Sequence, residues 1–223
     1  MTEKRWRSFF RRNPPAFLPP EWHAFYEDYY DLLSEMPSIT HRALALLHAV
    51  TSGLPVPPDD AVKLLKETIP VHEGWLNWDK ELHILFPAPM EIPSPRGDTL
   101  YPMVYLYDDV WRGSSHIMVA VCIIISNLVF KVTGYGGDRD GEVREMVDRI
   151  CKSIETVSAG PCGPLRVGAG LRIAYEAADP QTRGWIKGWL GGFETRVAAT
   201  SSGTYPERTA TEIMAENGVP PGL

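Results

Sequence analysis

Apolar residues in this chain recur every three to four positions, and no stretch of useful length alternates with period two. That periodicity confines the fold to helices, because a strand needs its side chains to change face at every residue. Residues 21–36 show it, with Trp22, Phe25, Tyr26, Tyr29, Leu32, Leu33 and Met36 on one helical face. Prolines then punctuate the pattern. Pro37 is expected to stop this helix, with Ser38 capping a second that reaches residue 53. Beyond the rigid link of Pro55, Pro57 and Pro58, Asp59 and Asp60 open a helix over 59–69 that Pro70 ends. A further helix over 71–86 turns Trp75, Leu82 and Phe86 to one side. Pro87, Pro89, Pro93 and Pro95 with Gly97 predict one long loop over 87–99. Residues 101–133 then read as a single long central helix, with Pro102 in its first turn and Gly134, Gly136 and Gly137 at its end. Helices over 141–157, 164–178 and 180–199 follow, and a weak one over 209–217. The expected fold is an all-α, single-domain bundle of eight or nine helices. It fills residues 21–200, between a basic aromatic arm (1–20) and a loose tail (201–223).

The longest apolar run, 117–130, is 14 residues and is interrupted by Ser126 and Asn127. A bilayer crossing needs roughly 18–20, so a buried core helix is expected and no membrane span. With 223 residues, 44% of them apolar, the chain can bury a sizeable core. Lys4, Arg5, Arg7, Arg11 and Arg12 face only Glu3 within residues 1–12, although the whole chain carries a net charge of −6. The remaining body is therefore net −10 and repels phosphate backbones, so direct nucleic-acid binding is not expected. The arm itself, with Trp6, Phe9 and Phe10 among its arginines, is expected to pack its aromatics on the body while the arginines stay solvated. Cys122, Cys151 and Cys162 are too few for a disulfide scaffold. No secretory leader and no Asn-x-Ser/Thr acceptor is read, so a reducing compartment is expected, cytoplasmic or alternatively nuclear.

Signatures of common cofactors are missing. There is no CxxC, no HExxH and no paired carboxylate loop, so no metal site is expected. GYGGDRDG (134–141) lacks the preceding strand that a phosphate cradle requires, and no GxSxG elbow occurs. Asp108-Asp109 invites comparison with magnesium-binding terpene cyclases, but a hard cation needs several oxygens, and Arg112 stands where another carboxylate should. The expected chemistry therefore uses no cofactor.

Three stretches carry a resemblance: LYDDVWRGSSHIMVAVCIIISNL (106–128, after Tyr105), EVREMVDRICKSIETV (142–157) and CGPLRVGAGLRIAYEAADPQTRGWIKGWLGGFE (162–194). Together, over about residues 70–200, they resemble the helical domain downstream of the zinc cluster in fungal Zn₂Cys₆ transcription regulators. The resemblance implies an all-α fold and a fungal source. The chain departs from the family in lacking the six cysteines of the cluster, which excludes DNA binding by that device. It also has Ser115, His116 and an apolar run where the family places Asn and arginines, and Gly168-Ala169-Gly170 where the family is bulky.

At helical spacing, Tyr101, Tyr105, Asp108 or Asp109, Arg112 and His116 share one face of the expected long helix. Such a stripe beside an apolar run suits an amphiphilic pocket. His116 would act as general acid or base, Arg112 and Tyr105 would donate to a carbonyl, and Asp109 would orient one of them. Tyr101, Trp75, Trp78 and His83 would wall the substrate. Gly168 and Gly170, with Gly191-Gly192 opposite, would leave room for it. The competing readings are an exposed Asp108–Arg112 pair, a satisfied core histidine, a plain aromatic core and close helix packing. The function expected from this face is a cofactor-independent cyclase or isomerase, folding an apolar polyketide or terpenoid of fungal secondary metabolism for cycloaddition or rearrangement. The alternative is a regulatory or adaptor protein that binds a small effector or a partner without touching DNA. The expected partner is an apolar small molecule, and pairing into a homodimer is left open.

Overall fold

Pro37 and Pro70 sit inside helices rather than between them. A computed structural model, which describes residues 19–55, 57–159 and 163–201, shows why the expected breaks do not occur. An internal proline costs about 3 kcal/mol through the lost amide and the clash with the carbonyl four residues back. Both rings are exposed, so the freed carbonyls stay on the wet side. Each helix also buries apolar residues on both sides of its proline: Tyr29 and Met36 before Pro37 and Ile39 and Ala43 after it, Leu64 before Pro70 and Val71 and Trp75 after it. That burial outweighs one missing bond. Four expected helices thus become two, α1 (His23–Thr51, after a 3₁₀ turn at Pro20–Trp22) and α2 (Pro58–Leu85). Ser38 caps nothing and lies exposed within α1.

The other correction lies between them and the apolar run. Residues expected to form a loop and the start of a long helix instead form strands β1 (Met90–Pro93) and β2 (Met103–Leu106). They pair antiparallel with Met90 opposite Leu106 and Ile92 opposite Val104, and Ile92, Val104 and Leu106 form a small core beneath them. Four more helices follow: α3 (Val110–Thr133), α4 (Asp140–Val157), α5 (Gly163–Ala177) and α6 (Pro180–Ser201). Among the described residues the fold is therefore mostly helical, in keeping with the class expected, with six α-helices rather than eight or nine and a small two-stranded sheet in addition. The arm, Cys162 and the weak helix over 209–217 fall outside the described residues.

α3 has the length and composition to cross a bilayer, and 72% of its most apolar stretch is buried within the protein. It ends where glycine permits a left-handed turn: Gly134 has φ +70°, and Tyr135 N–H returns to the Phe130 carbonyl at 2.9 Å.

Two compact units emerge, one from Met1–Phe86 and Ile125–Asp138, the other from Pro87–Ile124 and Arg139–Leu223. In the first, α1 and α2 run antiparallel, as Phe25 on Trp78, Leu32 on Gly74 and Arg42 on Glu67 show. Their shared core is aromatic. Phe25 stacks on Trp78 at 4.4 Å, Tyr29 meets Trp75 edge-on at 5.6 Å, and Trp78 Nε1 donates to the Phe25 carbonyl at 2.9 Å. In the second unit β2 packs on α4, α4 on α5, and α5 on α6.

Candidate functional site

The stripe read from the sequence is divided by the strands. Tyr101 and Tyr105 precede α3, so only Arg112 and His116 lie on its helical face, with Asp108 and Asp109 just ahead of it. Asp109 accepts the Arg112 amide at 2.7 Å, which is the work of a helix N-cap. Asp108 takes the Arg112 guanidinium at 2.8 Å, the i,i+4 pair of the simpler reading. Here the Arg112 side chain is only 8% exposed while Asp108 is 46% exposed, so the pair anchors the first turn of α3 from its solvent side. Tyr101 is buried elsewhere in the second unit, donating to Asp148 at 3.0 Å with its ring 4.8 Å from Trp185. Burial holds its phenol far above the ordinary range.

Tyr105 and His116 do approach, with ring centroids 6.3 Å apart. The residue that joins the cluster is one the sequence did not single out. Tyr107 Oη lies 2.8 Å from His116 Nδ1 and 2.7 Å from Ser153 Oγ, and Ser153 in turn donates to the Arg149 carbonyl at 2.6 Å. His116 is 4% exposed and Ser153 fully buried. Counting protons gives the direction in which every bond of this chain has one hydrogen. Ser153 spends its one proton on a carbonyl, so Tyr107 donates to Ser153, and His116 donates from Nδ1 to Tyr107. The relay ends on a backbone oxygen and leaves no hydroxyl deprotonated. Desolvation raises the Tyr107 phenol well above its usual value, so it stays neutral as well. A nucleophile activated by a base would need the reverse polarity, with the histidine accepting the proton.

Gly170 would place a Cβ 2.8 Å from Ile117 Cγ2, so it marks close packing of α5 on α3. A Cβ at Gly168, Gly191 or Gly192 would meet nothing within 4 Å. Gly191 and Gly192 are exposed on α6, and Gly168 is partly exposed on α5. Trp75, Trp78 and His83 belong to the first unit. The two tryptophans are buried in its aromatic core, and His83 is exposed with Nδ1 2.7 Å from the Asp79 carbonyl. The Cys122 and Cys151 thiols are buried and shifted upward by desolvation, Cys151 to about 12, which leaves them unreactive.

One buried carboxylate stands out in the second unit. Glu155 Oε2 accepts from Ser94 at 2.7 Å, while Oε1 is buried without a hydrogen-bond partner. Ser94 organises the loop after β1 by accepting the Arg96 and Asp98 amides. Burial raises the Glu155 pKa above its ordinary 4.5, the Ser94 bond opposing it. The folded state thus favours the protonated acid, and its contribution is fully present below pH 4.5 and fades as pH rises through the raised value. Glu155→Gln keeps an acceptor for Ser94 and removes the charge. It is expected to raise the melting temperature at neutral pH and flatten the stability profile above pH 4.5, as thermal unfolding across pH would record.

A cleft of ligand size lies in the first unit, where none of the expected site residues contributes. It is an open cleft of about 370 Å³ lined by Ala45, Leu46, Ala49, Pro55, Pro57 and Leu64, with Arg42 and Asp60 as its charged groups. Arg42 donates through one nitrogen to Glu67 across the helix pair. The cleft forms where α1 and α2 end against the proline link, whose fixed φ angles hold its mouth. Its sequence signal was the small pair Ala45 and Ala49 at i,i+4 beside three prolines. No family model matches the chain, and neither a curated protein nor a solved structure matches it.

Proposed function

We propose that this chain is a helical effector-binding module of the regulatory kind, which takes an apolar small molecule bearing one anionic group and acts by binding rather than by turnover. The cleft between α1 and α2 carries this reading. About 370 Å³ falls within the 300–1,000 Å³ of small-molecule sites, and an apolar lining with a few polar groups is their usual chemistry. A guanidinium has five donors, so Arg42 can hold Glu67 and still receive a carboxylate or sulfonate.

The cyclase or isomerase reading asks His116 and Arg112 to meet a guest. Their burial and the polarity of the Tyr107 relay support a structural role for both instead. The two readings separate in one experiment with the purified full chain and 1-anilinonaphthalene-8-sulfonate, an apolar anion, as probe. Saturable binding at one site is expected, weakened about ten-fold, or roughly 1.4 kcal/mol, by Ala49→Trp, which fills the cleft, and by Arg42→Leu, which removes the cation. Binding indifferent to both substitutions removes the cleft from consideration. Conversion of an apolar polyene by the wild-type chain and not by His116→Ala would restore the enzyme reading.

A further inference from the structure

The proline-linked end of the α1–α2 pair holds the cleft, but the opposite end is chemically different. Within residues 23–36 and 75–86, Glu27, Asp28, Asp31, Glu35, Asp79 and Glu81 face one lysine, Lys80, for a net −5 with histidines neutral. Over residues 37–55 and 57–72, Arg42, Lys63 and Lys66 balance Asp59, Asp60 and Glu67 to zero. The acidic end also carries Ile84, 81% exposed, and Leu85, 44% exposed, at the last turn of α2. Exposed aliphatic side chains side by side beneath a strong field of one sign suit a partner that is both apolar and oppositely charged.

The chain itself supplies one. Residues 1–18 are net +4, with four arginines interleaved with Trp6, Phe9 and Phe10, and Phe17 closer to the body. They join the described chain at Pro19, and Trp22, three residues on, packs edge-on against Phe86 at 4.6 Å. The arm therefore leaves the body beside Ile84 and Leu85. Reach favours the acidic end. Nine residues separate Phe10 from Pro19 and span at most about 30 Å when extended, and Arg42, the cleft residue nearest the start of α1, lies roughly 29 Å along it. Phe9 and Phe10 meet the acidic end with the arm slack and the near wall of the cleft only with it fully extended.

We propose that the N-terminal arm docks on the acidic end of the α1–α2 pair, covering Ile84 and Leu85 with its aromatic side chains and setting its arginines against the carboxylates of α1 and α2. The occupant is a segment of the same chain, held by charge and tether together. An arm bound this way neutralises most of that end's field, and an anionic surface would have to compete for the same arginines.

The test uses the full chain with Ser8→Cys in the arm, His83→Cys beside the patch and Cys162→Ser, and measures the rate of disulfide formation between the two introduced thiols under a fixed excess of hydroxyethyl disulfide, an uncharged oxidant that leaves as two mercaptoethanol molecules. The native Cys122 and Cys151 are buried and do not compete. Tethering alone gives a basal rate, so the diagnostic is its dependence on charge and on the patch. Raising salt from about 0.05 to about 0.5 M shortens the screening length from roughly 14 Å to about 4 Å and is expected to slow the reaction about five-fold. Ile84→Ser with Leu85→Ser, at positions 81% and 44% exposed, is expected to slow it by a similar factor in a chain whose thermal unfolding is unchanged. A rate indifferent to salt, or indifferent to loss of the two aliphatic side chains, describes an undocked tether and overturns the proposal.

Discussion

Gly113→Ala is expected to destabilise the second unit by about 2 kcal/mol, although alanine is the better helix former by about 1 kcal/mol. A Cβ at position 113 would overlap Val157 Cγ2 and lie 2.9 Å from Tyr107 Cδ2. Neither neighbour can yield. Val157 is 2% exposed at the end of α4, and Tyr107 is pinned by bonds to His116 and Ser153. The added methyl group therefore forces α3 away from α4 or breaks the relay, and either outcome exceeds the gain in helix propensity. Gly168→Ala is the control, since its Cβ would meet nothing within 4 Å inside α5. There the propensity term acts alone and stability should rise by up to about 1 kcal/mol. Urea denaturation with unchanged slope checks both, and opposite signs for the same chemical change isolate packing as the cause. A stabilised Gly113→Ala would show that the α3–α4 approach is looser than its geometry implies.

What could be read ahead of the structure follows from how local each determinant is. The apolar stripes of α4, α5 and α6 are periodic within a few turns, so their positions were legible to within one or two residues. Pro37 and Pro70 were misread because a proline's effect depends on whether its ring meets solvent or core, a tertiary property. The strands were hidden for a different reason. Each is four residues long, too short for alternation to register, and Pro93 and Pro102 at their borders favour a loop reading. The spacing of Tyr101, Tyr105, Asp109, Arg112 and His116 then mimicked one helix across a strand-to-helix junction. Of that set, sequence spacing placed Asp108 and Arg112 together, as the structure does, because i,i+4 pairing is local. Tyr107 and Ser153 were invisible as partners of His116, nine and 37 positions away, because nothing periodic links a loop residue to the far helix that receives it. The cleft was equally hidden: its walls come from residues 42–64 on two helices folded back by a turn that propensity reads only as a link.

Tyr107→Phe should cost about 2–3 kcal/mol, because one hydroxyl serves two buried partners and its loss withdraws a bond from each. Ser153→Ala alone should cost less, about 1 kcal/mol, since the Arg149 carbonyl it serves is already a helical acceptor within α4. The double variant is expected to fall short of the sum by at least about 0.5 kcal/mol, because the second change removes a group already deprived of its partner. Strict additivity would mean that the two hydroxyls do not depend on each other, and the proton count through the relay would fail with it. The same count is open to direct observation. In ¹⁵N spectra of the histidine rings, His116 should carry its proton on Nδ1, and Tyr107→Phe should weaken that preference. A proton on Nε2 alone would reverse the relay, making His116 an acceptor for Tyr107 and restoring the polarity that base catalysis requires. The tautomer of one buried imidazole thus decides whether this cluster fastens β2 and α3 to α4 or is poised to move a proton.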